Sequence, residues 1–68
     1  MEGLTDRQKE ILAFIVRYLK KAGFPPTSSE IASEFGFNLT AAVQHVRVLE
    51  QKGFVKRTPS VARGIRVL

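Results

Sequence analysis

Cysteine is absent from the 68 residues, which excludes disulfides and thiolate metal sites and leaves apolar packing to hold the fold. Nothing marks an oxidising compartment, and a cytoplasmic setting is the expectation. Long apolar runs are missing too: no stretch approaches a membrane span, and the charged opening of residues 1–10 lacks the apolar core of a signal peptide. The single histidine, His45, has no second ligand at metal spacing. There is also no phosphate-cradling glycine loop and no set of nucleophile, base and orienter. His45 flanks the apolar stripe of its helix and reads as a packing or hydrogen-bonding residue, while Glu30 serves as a helix cap and Glu34 lies a turn later on an exposed face. The sequence predicts no enzyme, no cofactor, no metal and no small-molecule ligand. Repeats, low-complexity tracts and long linkers are absent as well. A single domain over 1–68 follows, near the lower size limit for a core without staples.

Acidic residues are the other shortage. Six Asp and Glu stand against eleven Lys and Arg, giving a net charge of +5. That attracts polyanions without distinguishing DNA, RNA, acidic membrane or acidic protein. The distribution says more: six of the eleven cations (Arg47, Lys52, Lys56, Arg57, Arg63, Arg66) fall in the last 22 positions, against one acid, Glu50.

What is present is a succession of helix signals. Thr5 and Gln8 form a capping box ahead of Ile11, Leu12, Ile15, Tyr18, Leu19 and Ala22, whose spacing defines one buried face and predicts a helix over about 6–22. Lys20 and Lys21 suit its last turn and Gly23 its end. Phe24-Pro25-Pro26 cannot continue it and makes a rigid connector with an aromatic to bury. Thr27 and Glu30 form a second capping box, opening a helix over about 28–35 that carries Ile31, Ala32 and Phe35 inward. Gly36-Phe37-Asn38 then turns the chain, and Asn38 caps a third helix over about 39–52 with Leu39, Ala42, Val46 and Leu49 as its inward stripe. Two helices joined by so short a Gly-containing turn match a helix-turn-helix. After Gly53, two β-type runs at 54–58 and 64–68 flank a basic connection containing Pro and Ser. A hairpin so small needs a helical layer behind it. The predicted fold is mostly α with a small β-hairpin: a winged helix-turn-helix of three helices and a two-stranded antiparallel wing over about 54–68.

With the apolar stripe inward, Thr40, Ala41, Val43, Gln44, Arg47 and Gln51 fall outward or at the margins of helix 3. The start of this face is small and neutral, which lets a helix N-terminus enter a major groove. Gln44 can pair with adenine, Val43 and Ala41 can touch a thymine methyl, Asn38 or Thr40 can bond a base edge or phosphate, and Arg47 can reach phosphate or guanine. Ser28 and Ser29 combine hydroxyls with free N–H groups at the positive end of helix 2. Lys52, Lys56, Arg57 and Arg63 are candidate phosphate clamps, with Arg63 foremost in the wing. Taken singly, each residue also reads as a cap, a solvated charge or a scattered surface hydrophobe. The constellation carries the inference. Two alternatives stay open: a winged helix used for protein interaction, and sequence-tolerant binding of RNA or single strands, which would want more exposed aromatics than this chain offers.

Beyond these patterns, the chain resembles the amino-terminal DNA-binding domain of LexA repressors over essentially its whole length. The resemblance rests on Leu4-Thr5, Arg7-Gln8, Glu10, Gly23, Pro25-Pro26-Thr27, Glu30-Ile31-Ala32, Gly36-Phe37, His45, Leu49, Lys52-Gly53 and Arg63-Gly64-Ile65-Arg66. It implies a winged helix-turn-helix, operator binding to double-stranded DNA, repression of a DNA-damage (SOS) regulon and a place at the bacterial nucleoid. Family members also carry a carboxy-terminal domain that dimerises and cleaves itself with a Ser/Lys pair at an Ala-Gly bond. This chain stops before it, so the expectation is no self-cleavage, with a dimer on a two-half-site operator possible through that missing domain. The chain departs from the family at the start of the recognition helix. The family has Ser-Pro-Asn-Ala-Ala-Glu-Glu-His, whereas here Asn38-Leu39-Thr40-Ala41-Ala42-Val43-Gln44-His45 stands, one residue shorter from Gly36 to the histidine. Fold and groove placement carry over from the family; its operator sequence does not.

Overall fold

The structure, a computed structural model, describes residues 3–68; the first two residues of the predicted domain lie outside the described residues. Helix α1 spans Asp6–Ala22. Its start is fixed by the reciprocal box in which Gln8 N donates to Thr5 Oγ1 at 3.2 Å and Thr5 N donates to Gln8 Oε1 at 3.0 Å. It stops at Gly23, whose left-handed φ of 83° lets its N–H return to Leu19 O. Ile11, Leu12 and Ile15 are buried, and Tyr18 and Leu19 half-buried. Ala22, placed on the same face by periodicity, is exposed, so the covered stripe ends at Leu19.

Helix α2 (Ser28–Phe35) and helix α3 (Leu39–Gln51) are joined by Gly36, Phe37 and Asn38. Each start is capped by a local polar side chain. Thr27 and Glu30 close a second box, and Asn38 Oδ1 accepts from Ala41 N at 2.8 Å. Gly36 takes φ 72°, a left-handed conformation that ends α2 and turns the chain toward α3. Ala42, Val46 and Leu49 face the core with no exposed surface. Leu39, expected to begin that stripe, is 52% exposed. It occupies the first helical turn, ahead of where α3 meets the core, and lies instead on the rim of a surface concavity. Phe24, expected to be buried, is 45% exposed and is covered on one side by the Arg63 guanidinium, 4.6 Å from the ring centroid.

The hairpin comprises strands β1 (Val55–Arg57) and β2 (Ile65–Val67), antiparallel with Val55 opposite Val67, Lys56 opposite Arg66 and Arg57 opposite Ile65. Pairing extends outward through Thr58 N to Gly64 O and Leu68 N to Phe54 O. Val55 and Ile65 enter the core, where they join Leu4, α1, Ile31 and Ala32 of α2, and the α3 stripe. The ribbon thus has the helical layer that a two-stranded sheet requires. At its tip, Val61 N donates to Thr58 O, Pro59 fixes the second turn position and Ser60 takes φ 66° at the third, the pattern of a type II turn. Gly64 closes the connection because an added Cβ would lie 2.7 Å from Thr58 O and 3.0 Å from Val61 O.

Candidate nucleic-acid interface

Three segments distant in sequence meet at one surface. The start of α2 (Thr27, Ser28, Ser29), the start of α3 (Leu39, Val43) and the wing connection (Val61, Ala62) line an open concavity of about 340 Å³. Predicted backbone contacts Ser28 and Ser29 therefore share a surface with the predicted base contact Val43. Hydroxyl and N–H donors stand on one side, at the positive end of the α2 dipole, and methyl groups on the other. Larger clefts lie along α1, around Phe14, Tyr18 and Lys21 and around Val16, Phe54 and Leu68, away from the start of α3.

Along α3, Thr40, Gln44 and Arg47 are exposed and Ala41 and Val43 half-exposed, so the outward face begins beside the concavity and becomes cationic a turn later. Asn38 spends its carbonyl oxygen on the cap, and its amide remains as a donor. His45 stacks on Phe37 with centroids 4.9 Å apart, the packing role its position suggested. The aromatic rings are used on one another: Phe14 meets Tyr18 and Phe35 edge-on, and Phe35 stacks on Phe37. They form an internal ladder and do not splay into a base-stacking platform.

The four predicted phosphate clamps divide. Lys56 is exposed on the outer face of β1. Lys52 Nζ donates to Gly3 O and, at 3.2 Å, to Gln8 Oε1, which ties the end of α3 to the start of α1 while leaving a third donor outward. Arg57, placed on phosphate by its charge, instead shares the packed hairpin face with Ile65. Its N–H donates to Glu50 Oε2 at 3.0 Å and its buried Nε lies 3.5 Å from Glu50 Oε1. The Arg57 backbone donor, and then its guanidinium, hold the Glu50 carboxyl below the usual range. Arg63 is occupied: Nη1 donates to Glu30 Oε1 at 2.7 Å and to Pro25 O at 2.9 Å, and Nη2 donates to Glu30 Oε2 at 3.1 Å.

Sequence reasoning missed four contributors. Arg66 sits directly across from Lys56 on the outer ribbon face, and no ion pair to either is found among the described residues. Like charges directly opposite are destabilising, and a bound anion would relieve them. Strand alternation from buried Ile65 was the available signal. Leu39, Val61 and Ala62 line the concavity, and only the folded chain brings them together. No helix among the described residues is long and apolar enough to cross a membrane, and no three metal-ligating side chains gather among them.

The family model of the LexA DNA binding domain matches residues 1–64. The chain is 52% identical over 68 residues to the LexA repressor of Pseudomonas aeruginosa, covering 98% of this chain and 33% of that protein. It is 54% identical to LexA repressor 1 of Pseudomonas putida, covering 98% and 34%. LexA repressor 1 of Pseudomonas syringae pv. tomato is 52% identical with the same coverage. The chain spans about a third of the length of these curated relatives. With three capped helices, a two-stranded wing and a family match across nearly its whole length, the chain belongs to the LexA DNA-binding domain family.

Proposed function

We propose that this chain binds double-stranded DNA sequence-specifically as the DNA-binding part of a transcriptional repressor. The start of α3 enters the major groove and the wing lies on the flanking backbone. The observation that carries the reading is the concavity shared by α2, α3 and the wing. Methyl-bearing Leu39, Val43 and Val61 beside the donors of Ser28 and Ser29 suit a thymine C5-methyl next to its own phosphate. Around that anchor, Gln44 pairs with adenine, Thr40, Ala41 and the Asn38 amide meet neighbouring base edges, and Arg47 reaches guanine or phosphate. Ser28, Ser29, Lys52 and Lys56, joined by Arg66, hold the backbone. Arg57 supports the wing from behind through Glu50.

One such domain covers only about 600–1,000 Å² and binds weakly alone. Repression then calls for two copies on a two-half-site operator, held together by the remaining part of a longer protein. Control of a DNA-damage regulon in the cytoplasm, at the nucleoid, is the role this supports.

Val43→Asp tests the groove placement. A carboxylate there faces the acceptor-rich base edges and the phosphates, and specific affinity should fall by about 100-fold or more while the helical circular dichroism is unchanged. Unchanged affinity would remove Val43 from the interface.

A further inference from the structure

Glu30 is an acid placed beside a surface that is to receive a polyanion, and every one of its acceptor directions is used. Oε1 accepts from Thr27 N at 2.8 Å and Arg63 Nη1 at 2.7 Å; Oε2 accepts from Arg63 Nη2 at 3.1 Å and Tyr18 Oη at 2.9 Å. One carboxylate thereby joins α1, the N-terminus of α2 and the wing. Arg63 completes the join by donating to Pro25 O and lying over the Phe24 and Tyr18 rings, with centroids 4.6 and 6.0 Å away. The Arg63 bond, followed by the Thr27 N–H, holds the carboxyl at a pKa of about 2, so it is charged throughout the physiological range.

The wing connection has little else to hold it. Pro59, Ser60, Val61 and Ala62 are exposed, the paired strands are three residues each, and a two-stranded ribbon is at best marginal by itself. Arg63 immediately follows Ala62, so its grip on Glu30 sets where Val61 and Ala62 stand relative to Ser28 and Ser29. We infer that Glu30 and Arg63 form a clasp that positions the wing for DNA, Glu30 acting as a positioning residue and Arg63 serving as its partner in place of a phosphate contact. The inference rests on the DNA-binding reading and assigns the wing's orientation to one ion pair. Its consequence runs against simple electrostatics: deleting a negative charge weakens binding to an anion.

Glu30→Gln tests the clasp with the helix cap kept, because Gln at this position still completes a capping box while giving up the charge, the second acceptor oxygen for Arg63 and the bond from Tyr18 Oη. The probe is a duplex taken from the pool that the wild-type chain enriches from a random library. Glu30→Gln, Arg63→Gln and the double variant should each weaken binding by about tenfold, the cost of ordering a freed wing on binding. The double variant should be no worse than either single one, and all three should keep the wild-type dependence on salt. On duplexes trimmed until the wing's flank is gone, wild type and variants should bind alike, an equality that general destabilisation would not produce. Two results overturn the clasp. One is Glu30→Gln binding as well as wild type or better, while Arg63→Gln lowers the salt slope by about one, which makes Arg63 a phosphate contact. The other is an equal loss on long and trimmed duplexes. If the wild-type chain enriches no duplex, the DNA reading itself fails and the clasp's function falls with it.

Discussion

The helix-turn-helix and the wing are positioned by different physics. Between α2 and α3 the contact is apolar: Ile31, Val46 and Leu49 have no exposed surface, and the polar groups there are local caps. The wing contributes only Val55 and Ile65 to the buried core, with Phe54 and Val67 packed against its edge, and adds two ion pairs, Arg57 with Glu50 and Arg63 with Glu30. Apolar burial does not titrate, whereas half-exposed ion pairs are released when the carboxylate is protonated. Helix α3 is therefore fixed by the buried core, and the wing is the more adjustable of the two.

Leu49→Ala should have the largest effect on that contrast. Loss of a fully buried leucine costs about 2–5 kcal/mol, against roughly 3–10 kcal/mol for the whole stability of a chain this size. Thermal denaturation should show cooperative loss of all helices together. Survival of native α2 and α3 with a small shift in midpoint would mean the two regions are not separated by burial as described.

Acid should reach the wing first. Glu30 binds its proton less readily when folded, at about 2 against an ordinary 4.5, so protonation favours the unfolded or released state. The stabilisation it provides is complete above about pH 4.5 and disappears as the pH falls toward 2. Glu50, also lowered by Arg57, acts in the same direction. Amide exchange should show β2 losing protection at higher pH than α3, and Glu30→Gln should flatten the acid dependence near Arg63. Identical acid profiles for strand and helix amides would break the comparison.

The smallest expected change is a gain. Ser60 holds a left-handed φ of 66° that glycine adopts freely. Ser60→Gly should relieve this strain and stabilise the wing turn by about 1 kcal/mol or less, read as a modest rise in melting temperature. A loss of stability would show that the serine side chain contributes more than the strain costs.

The same division explains what the sequence disclosed. The caps at Thr5, Thr27 and Asn38 and the stripes through Ile11, Ile15, Val46 and Leu49 were legible because each involves residues within a turn or two of one another. So was the winged architecture, from helical periods giving way to β-type runs. Leu39 and Phe24 were misplaced because periodicity says which side a residue faces but not where a neighbour's cover ends. Arg63 and Arg57 looked like free cations because their partners are chosen by folding; Glu30 is 33 residues from Arg63. The concavity was invisible for the same reason, its walls coming from residues 27–29, from Leu39 and Val43, and from residues 61–62.

Selection from a random double-stranded DNA library at near-physiological salt tests the central claim most directly. The account predicts one enriched motif containing thymine, with enrichment abolished by Val43→Asp. No enriched motif, with binding that collapses as salt rises, would contradict it and leave only a basic domain with electrostatic affinity.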